Sequence, residues 1–166
     1  MRRAHSIHEM KQYLKARAEN AEDAAAVLQR LKEQNYLDDA RYARDYARSH
    51  AQSRRQGKFR IARELRARGV PDRHIEAALE AIFTETDEKA LVRSRIERKL
   101  RFARRLLAAP DGQQIRAPLD EKLRASIYRS LLRAGFSADT IRTELRTLTK
   151  TEAMGTDDTA AFHEDT

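Results

Sequence analysis

Two pairs of side chains have residue types and a spacing that could support chemistry. His5 and His8 lie three positions apart and could provide two ligands of a metal ion. The adjacent carboxylates of Asp38 and Asp39 could act as a general acid and a general base. However, no third ligand lies near the histidines in the sequence, and an aspartate that precedes a helical pattern stabilises the first turn of that helix. We therefore interpret the histidines as surface residues and the aspartates as helix caps.

The remainder of the sequence contains no pattern typical of catalysis. There is no Cys, which excludes a disulfide framework, a thiolate metal site and a cysteine nucleophile. The five glycines lie far apart, so none of them belongs to a glycine-rich phosphate loop. No stretch approaches the ~20 apolar residues of a membrane span. We expect a cytoplasmic, non-enzymatic protein that carries no cofactor or metal and does not contact membranes.

Positive charge is the clearest chemical signal in the sequence. Arg and Lys total 34 against 26 Asp and Glu, for a net charge of +8. Because residues 151–166 contain five acids and no Arg or Lys, the first 150 residues carry a net charge of +13. Such a basic body favours a polyanion or an acidic protein surface as its partner.

Two segments concentrate this charge. Positions 41–73 contain eleven Arg or Lys and three acids, and positions 93–105 contain seven Arg or Lys and one acid. Most of these cations are Arg, whose planar guanidinium suits bidentate contact with phosphate or carboxylate. The alternative is a merely solvated surface, although such a surface normally intersperses acids among the cations. The candidate residues for contact with a partner or with DNA are Arg60, Arg63, Arg66, Arg68, Arg93, Arg98, Arg101, Arg104 and Arg105.

Helix-forming residues must position these side chains. Ala, Leu, Arg, Glu and Lys dominate the composition, and no segment alternates apolar and polar residues for long enough to be a strand. Ser6 and Glu9 have the spacing of a capping box, and Gly69 is suited to end a later helix. A long amphipathic helix ends at the loop signal of residues 108–112, and its apolar stripe contains Val92, Ile96, Leu100, Ala103 and Leu107. We predict an all-α fold.

One helix-turn-helix pattern occurs three times. Around Gly69 and around Gly135, a Leu lies four positions before the Gly, an Ile six positions after it and a Leu ten positions after it. The N-terminal segment fits the same frame with Ala18 in place of the Gly. Repetition of this kind indicates tandem helical modules that bury their faces against their neighbours.

A helix-turn-helix could also read the major groove of DNA, with the second helix of the pair entering the groove. In the copy around Gly69, that second helix carries Asp72, Glu76 and Glu80 alongside Arg73 and His74, whereas most of the positive charge lies on the preceding helix. Because an acidic ridge does not suit a helix that faces phosphates, the charge pattern argues against sequence-specific readout of DNA.

A specific motif connects these features to a known family. Residues 37–43 read Leu-Asp-Asp-Ala-Arg-Tyr-Ala, a Gly follows at position 57, and residues 61–70 read Ile-Ala-Arg-Glu-Leu-Arg-Ala-Arg-Gly-Val. This pattern resembles the signature of the RecX family of recombination regulators. It differs at Lys58, where many members have Pro, and in the irregular segment 108–118. The positions that we expect to be structural are Asp38, Asp39, Gly57, Gly69 and, in the third copy, Gly135.

The resemblance implies an all-α, elongated and curved array of tandem three-helix repeats. On this basis we expect a partial first repeat of two helices over residues 1–34 and a second repeat over residues 35–85. A third repeat, with the long basic helix, is expected over residues 86–149. Residues 150–166 form an acidic tail for which we expect disorder.

The resemblance also implies a function. Members of the family bind the filament of the RecA recombinase on single-stranded DNA and suppress its ATPase and strand exchange. We therefore expect a monomeric regulator of RecA that also makes a weaker direct contact with DNA. The alternative is a sequence-nonspecific DNA-binding module that competes for DNA. An RNA-binding protein is less compatible with the sequence, because only ten residues are Phe or Tyr and we find no stacking platform among them.

Overall fold

The computed structural model of this chain describes residues 4–85, 88–107 and 121–154, and these residues form eight α-helices and no β-strand. The all-α prediction is confirmed. The chain divides into two compact units, residues 1–87 and residues 88–166. None of the described helices is long and apolar enough to cross a membrane. The helices are α1 (Ile7–Lys15), α2 (Ala21–Glu33), α3 (Asp39–Gln52), α4 (Lys58–Ala67), α5 (Asp72–Glu85), α6 (Glu88–Leu107), α7 (Glu121–Arg133) and α8 (Ala138–Met154).

Polar side chains fix where α1 and α3 begin. Ser6 and Glu9 form the predicted capping box of α1, in which Ser6 Oγ accepts a hydrogen bond from the Glu9 N–H. In return, the Ser6 N–H donates to Glu9 Oε2 at 3.1 Å. Asp38 caps α3, because its Oδ1 accepts two hydrogen bonds from N–H groups in the first turn.

The adjacent Asp39 caps a different helix. It is the first residue of α3 and is only 6% exposed, and its Oδ1 accepts a hydrogen bond from the Ile7 N–H at 2.9 Å, in the first turn of α1. The sequence predicts that one of the two aspartates caps the helix that follows them. In the structure Asp38 does so, while Asp39 joins the N-terminus of α1 to that of α3.

Helices α3, α4 and α5 enclose the core of the first unit. From α3 come Ala43, Ala47 and Ala51, which are fully buried and whose small side chains allow the helices to approach closely. Complete burial of a large aliphatic side chain contributes about 1.5–3 kcal/mol. The large aliphatic side chains of this core are Ile61, Leu65, Ile75 and Ile82.

Helices α6, α7 and α8 enclose a separate core in the second unit. The predicted apolar stripe of α6 is buried there through Val92, Ile96 and Leu100. The repeat pattern aligns the α4–α5 pair with the α7–α8 pair, and the buried residues of α7 and α8 include the aligned Leu131, Ile141 and Leu145. The helix triplets α3–α5 and α6–α8 confirm the predicted class of tandem three-helix repeats.

The same backbone turn follows α4 and α7. Gly69 has φ +73° and Gly135 has φ +87°, and in each case the Gly N–H and the next N–H donate to carbonyls of the preceding helix. This Schellman arrangement requires a left-handed residue and therefore favours Gly. Ala18, which the sequence pattern aligns with the two glycines, has no positive φ. Its Cβ would be strained in that conformation, so the turn after α1 differs from the other two.

The N-terminal pair α1–α2 has no core of its own. Neither helix contains a buried residue, and the apolar side chains of Tyr13 and Val27 are 49% and 46% exposed. Contacts with the α3–α5 helices therefore hold this pair in place.

Two predicted segments lie wholly or partly outside the described residues. Helix α6 ends at Leu107, where the loop signal begins, and the irregular segment 108–118 is not described. Helix α8 continues to Met154, beyond the predicted start of the tail at residue 150, because the first strong helix breaker is Gly155. The rest of the predicted acidic tail, residues 155–166, lies outside the described residues.

Candidate partner and nucleic-acid interface

The outward face of α6 carries a cluster of arginines. The opposite face of α6 packs into the core of the second unit through Val92, Ile96 and Leu100. At 100° per residue, the three exposed arginines of this cluster fall within an arc of about 60°. Within the described part of the chain they form no ion pair or hydrogen bond. We call these three residues the α6 arginine cluster: Arg98, Arg101 and Arg105.

An aromatic ring lies beside this cluster. Phe102 is 65% exposed, and it lies four positions after Arg98 and three positions before Arg105. Residues three and four apart are neighbours on a helix surface, so guanidinium groups flank the ring along the helix axis. Helix α6 therefore exposes an aromatic ring although it also has a buried apolar stripe.

Arg93 has a different role from the rest of the predicted α6 set. Its Nε and Nη2 atoms both lie 3.0 Å from Glu144 Oε2, and that carboxylate is only 3% exposed. Arg93 therefore neutralises a buried charge of α8 and joins α8 to α6. The side chain of Arg104, which the sequence also predicts as a contact residue, lies outside the described residues.

Among the arginines of α4, some form ion pairs within the described residues and one does not. Arg63 is exposed and has no ion pair within the described residues. Arg66 Nε lies 2.6 Å from Asp72 Oδ1, in a pair that is more than half exposed on both sides. Arg60 Nε donates to Glu64 Oε1 at 2.8 Å. Phe59 lies on the first turn of this helix and is 59% exposed.

Arg68 is held within the fold and joins α4 to α1. Its Nη1 donates to Glu9 Oε1 at 2.8 Å, and its guanidinium carbon lies 5.1 Å from the centre of the Tyr46 ring. Its backbone carbonyl accepts a hydrogen bond from Ser6 Oγ at 2.6 Å. Because these contacts occupy both its side chain and its carbonyl, Arg68 has less freedom to bind a partner than Arg63.

A polar cluster connects α3 to α4 beside Arg68. The Tyr46 hydroxyl donates to Glu64 Oε2 at 2.6 Å, and the His50 ring stacks on the Tyr46 ring with 3.8 Å between centroids. His50 Nδ1 lies 2.8 Å from Gln56 Oε1, which is only an acceptor, so this nitrogen carries the proton. The i, i+4 spacing of Tyr46 with His50, and of Arg60 with Glu64, is the sequence signal that could have indicated the cluster.

Ionisation in this cluster follows its hydrogen bonds. Burial opposes the charge of Glu64, but the hydrogen bonds from Tyr46 and Arg60 outweigh it and lower the pKa of the carboxyl. Burial, and then the hydrogen bond to Glu64, raise the pKa of the Tyr46 hydroxyl. The pair is therefore held as carboxylate and neutral phenol, which is a structural arrangement rather than a proton-transfer site.

The predicted structural residues lie at helix ends. Gly57 is the buried N-cap of α4, with an extended φ of −81°. A Cβ at Gly69 would overlap the Cβ and Cγ atoms of His8. The two histidines that could have formed a metal pair thus differ in surroundings: His8 packs over Gly69, and His5 Nδ1 lies 3.9 Å from Glu9 Oε2.

These features define a class of protein: an all-α protein of tandem three-helix repeats with outward-facing arginines. Residues 38–79 match a family described as the second three-helix domain of RecX. A regulatory protein RecX of Halorhodospira halophila is 36% identical over 141 residues, which cover 85% of this chain and 78% of that protein. One of Prosthecochloris aestuarii is 32% identical over 143 residues, covering 86% of this chain and 83% of that protein.

Solved structures show the same fold. The crystal structure of RecX from Lactobacillus salivarius superposes with a TM-score of 0.64 at 20% identity, over 88% of this chain and 86% of that one. Another RecX crystal structure superposes with a TM-score of 0.66 at 21% identity, over 85% of this chain and 64% of that one. The chain belongs to the RecX family of regulatory proteins.

Proposed function

We propose that this protein binds the filament that RecA recombinase forms on single-stranded DNA and thereby suppresses ATP hydrolysis and strand exchange. Family membership supports a regulatory role, and the RecX resemblance points to RecA as the target. The observation that carries the proposal physically is the α6 arginine cluster, in which three guanidiniums have no acidic partner within the described residues. Uncompensated cations attract acidic protein surfaces and phosphates, and they raise association rates with both.

Binding alone accounts for the proposed activity. A filament grows by adding subunits and works through contacts between neighbouring subunits, so a protein lodged on it obstructs extension without catalysing a reaction. Repeat proteins present extended surfaces that suit a polymeric partner. One bound copy then affects many RecA subunits, and suppression is expected at a small fraction of one copy per subunit.

The second candidate function is a sequence-nonspecific DNA-binding module that competes with RecA for DNA. The same arginine cluster favours it, because guanidiniums neutralise phosphates whatever the base sequence. Such a module would inhibit RecA only when it covers a large part of the DNA, and additional DNA would relieve the inhibition.

A titration into RecA on saturating single-stranded DNA, with ATP hydrolysis as the readout, separates the two functions. The proposal predicts a fall at a small fraction of one copy per RecA subunit that extra naked DNA does not relieve. A fall only near full coverage, reversed by more DNA, supports the competitor. No fall at any concentration contradicts both.

A charge-reversal variant tests the role of the cluster. We expect R98E/R101E/R105E to lose most of the inhibition. The matched control is R124E/R129E/R133E, which makes the same change in charge on three exposed arginines of α7 in the same unit. These three are spread over about half of the helix circumference rather than clustered. Equal loss in both variants would mean that total charge, and not the α6 arginine cluster, determines inhibition.

A further inference from the structure

Phe102 is not part of the described core of the second unit. Its ring is 65% exposed and lies about 120° around α6 from the mean direction of Val92, Ile96 and Leu100. An exposed apolar side chain is not unusual by itself. Here Arg98 lies four positions before the ring and Arg105 three positions after it, so two exposed guanidiniums flank it on the helix surface.

An aromatic ring among cations has the chemistry of a site for single-stranded nucleic acid. Arginines follow the phosphate backbone, and the flat ring offers a stacking surface for an unpaired base. Every base has a π face, so such a contact tolerates any sequence, whereas the bases of a duplex are already stacked on one another and are not available to it. The nearest acid on this helix, Glu97, precedes Arg98 and lies at the edge of the cluster rather than within it.

We propose that Phe102 stacks on an unpaired base of single-stranded DNA while Arg98 and Arg105 bind the phosphates on either side. The inference rests on the proposed function for its choice of ligand, since single-stranded DNA is the polymer on which the RecA filament forms. It goes further by assigning a direct contact with the bases to one side chain. It also requires a preference for single-stranded over duplex DNA.

The test compares a labelled oligothymidylate with an abasic strand of equal length and with a duplex, by fluorescence anisotropy in the absence of RecA. We expect F102A to bind oligothymidylate at least about fivefold more weakly, the lower end for loss of one stacked base. Its affinity for the abasic strand should not change. F102W should bind as the wild type does, and F102L should behave as F102A does, because only an aromatic ring restores stacking.

Replacement of the arginines should differ from replacement of Phe102 in its effect on the abasic strand and on the salt dependence of binding. R98Q/R105Q should weaken binding to both single strands and reduce the slope of log affinity against log salt by about 1.4, at about 0.7 for each of the two lost phosphate contacts. Y36A is the control for removal of an exposed aromatic, since Tyr36 is 74% exposed and lies outside the cluster. Unchanged helicity by circular dichroism verifies that each variant is folded.

Several results would overturn the stacking contact: unchanged affinity of F102A for oligothymidylate, an equal loss on the abasic strand, or F102L binding as well as F102W. If F102A instead weakens binding to RecA without DNA and leaves oligothymidylate binding intact, the ring contacts protein. The ATPase titration tests the proposed function independently of the stacking contact. Wild-type protein that shows base-dependent binding but no effect on RecA would leave the stacking contact standing and remove the regulator.

Discussion

Replacement of Gly69 by alanine should cost more than the backbone strain alone. Gly69 and Gly135 both have a positive φ within the same Schellman turn, so an Ala substitution at either introduces the left-handed strain of about 1–2 kcal/mol. At Gly69 the new Cβ would also overlap the Cβ and Cγ atoms of His8. Those atoms lie next to the α1 backbone, so α1 itself must move to make room.

The displacement of α1 sets the size of the difference. Two hydrogen bonds depend on its position, Ser6 Oγ to the Arg68 carbonyl at 2.6 Å and the Ile7 N–H to Asp39 at 2.9 Å. At about 0.5–1.5 kcal/mol for each bond, G69A should destabilise the protein by about 1–3 kcal/mol beyond the left-handed strain. Urea unfolding, followed by circular dichroism for G69A and the wild type, measures the free energies of unfolding.

A double-mutant cycle identifies the cause. In a His8→Gly background the overlapping side chain is absent, so adding G69A should cost only the strain of about 1–2 kcal/mol. A cost of G69A in the wild type no larger than this strain would refute the packing of His8 on Gly69. So would an unchanged cost of G69A in the His8→Gly background.

Two further predictions concern the carboxylates of Glu64, which is partly buried, and Glu144, which is buried. Because the pKa of Glu64 is lowered in the folded protein, its contribution to stability is present above the ordinary value of 4.5 and is lost as the pH falls through the folded value. We therefore expect E64Q to be about 1 kcal/mol less stable than the wild type at pH 7, because the hydrogen bonds to residue 64 become weaker. The difference in stability should shrink when thermal or urea unfolding is repeated below pH 4. Removal of the partner of the buried Glu144 carboxylate by R93A should cost about 2 kcal/mol, reduced from the fully buried case because Arg93 is 51% exposed. The control R142A breaks the exposed pair with Asp139 and should change the free energy of unfolding by less than about 0.5 kcal/mol; a comparable loss in both variants contradicts the role given to Arg93.

The sequence predicts features that depend on local periodicity. The 3.6-residue period separates Val92 and Ile96 from Arg98 and Arg101 without any knowledge of the fold. Capping by Ser6 and the left-handed turn at Gly69 follow from residue type and spacing within a few positions. At 100° per residue Phe102 lies between the apolar stripe and the arginines, so the helical period alone does not determine its exposure.

Features that depend on distant contacts are not predicted from the sequence. Arg68 and Arg93 look like the other arginines of their segments, yet their partners Glu9 and Glu144 lie 59 and 51 positions away. Which arginine neutralises a buried acid is decided by how helices pack, and one-dimensional charge patterns do not contain that information. Asp39 is a further example, since it caps a helix 32 positions before it.

The exposure of α1 and α2 makes the N-terminal pair a part of the protein that can detach while the α3–α5 core stays folded. With no buried residue in either helix, a large share of its attachment comes from three polar contacts, from Ser6, Ile7 and Glu9 to Arg68 and Asp39. At about 1 kcal/mol each, they leave the pair open in roughly one molecule in a hundred, so its amides should exchange hydrogen far faster than those of α5. This opening also limits how much the free energy of unfolding can fall when α1 is displaced. Once detachment of the N-terminal pair requires less free energy than a shift of α1, a larger overlap at Gly69 no longer reduces the stability.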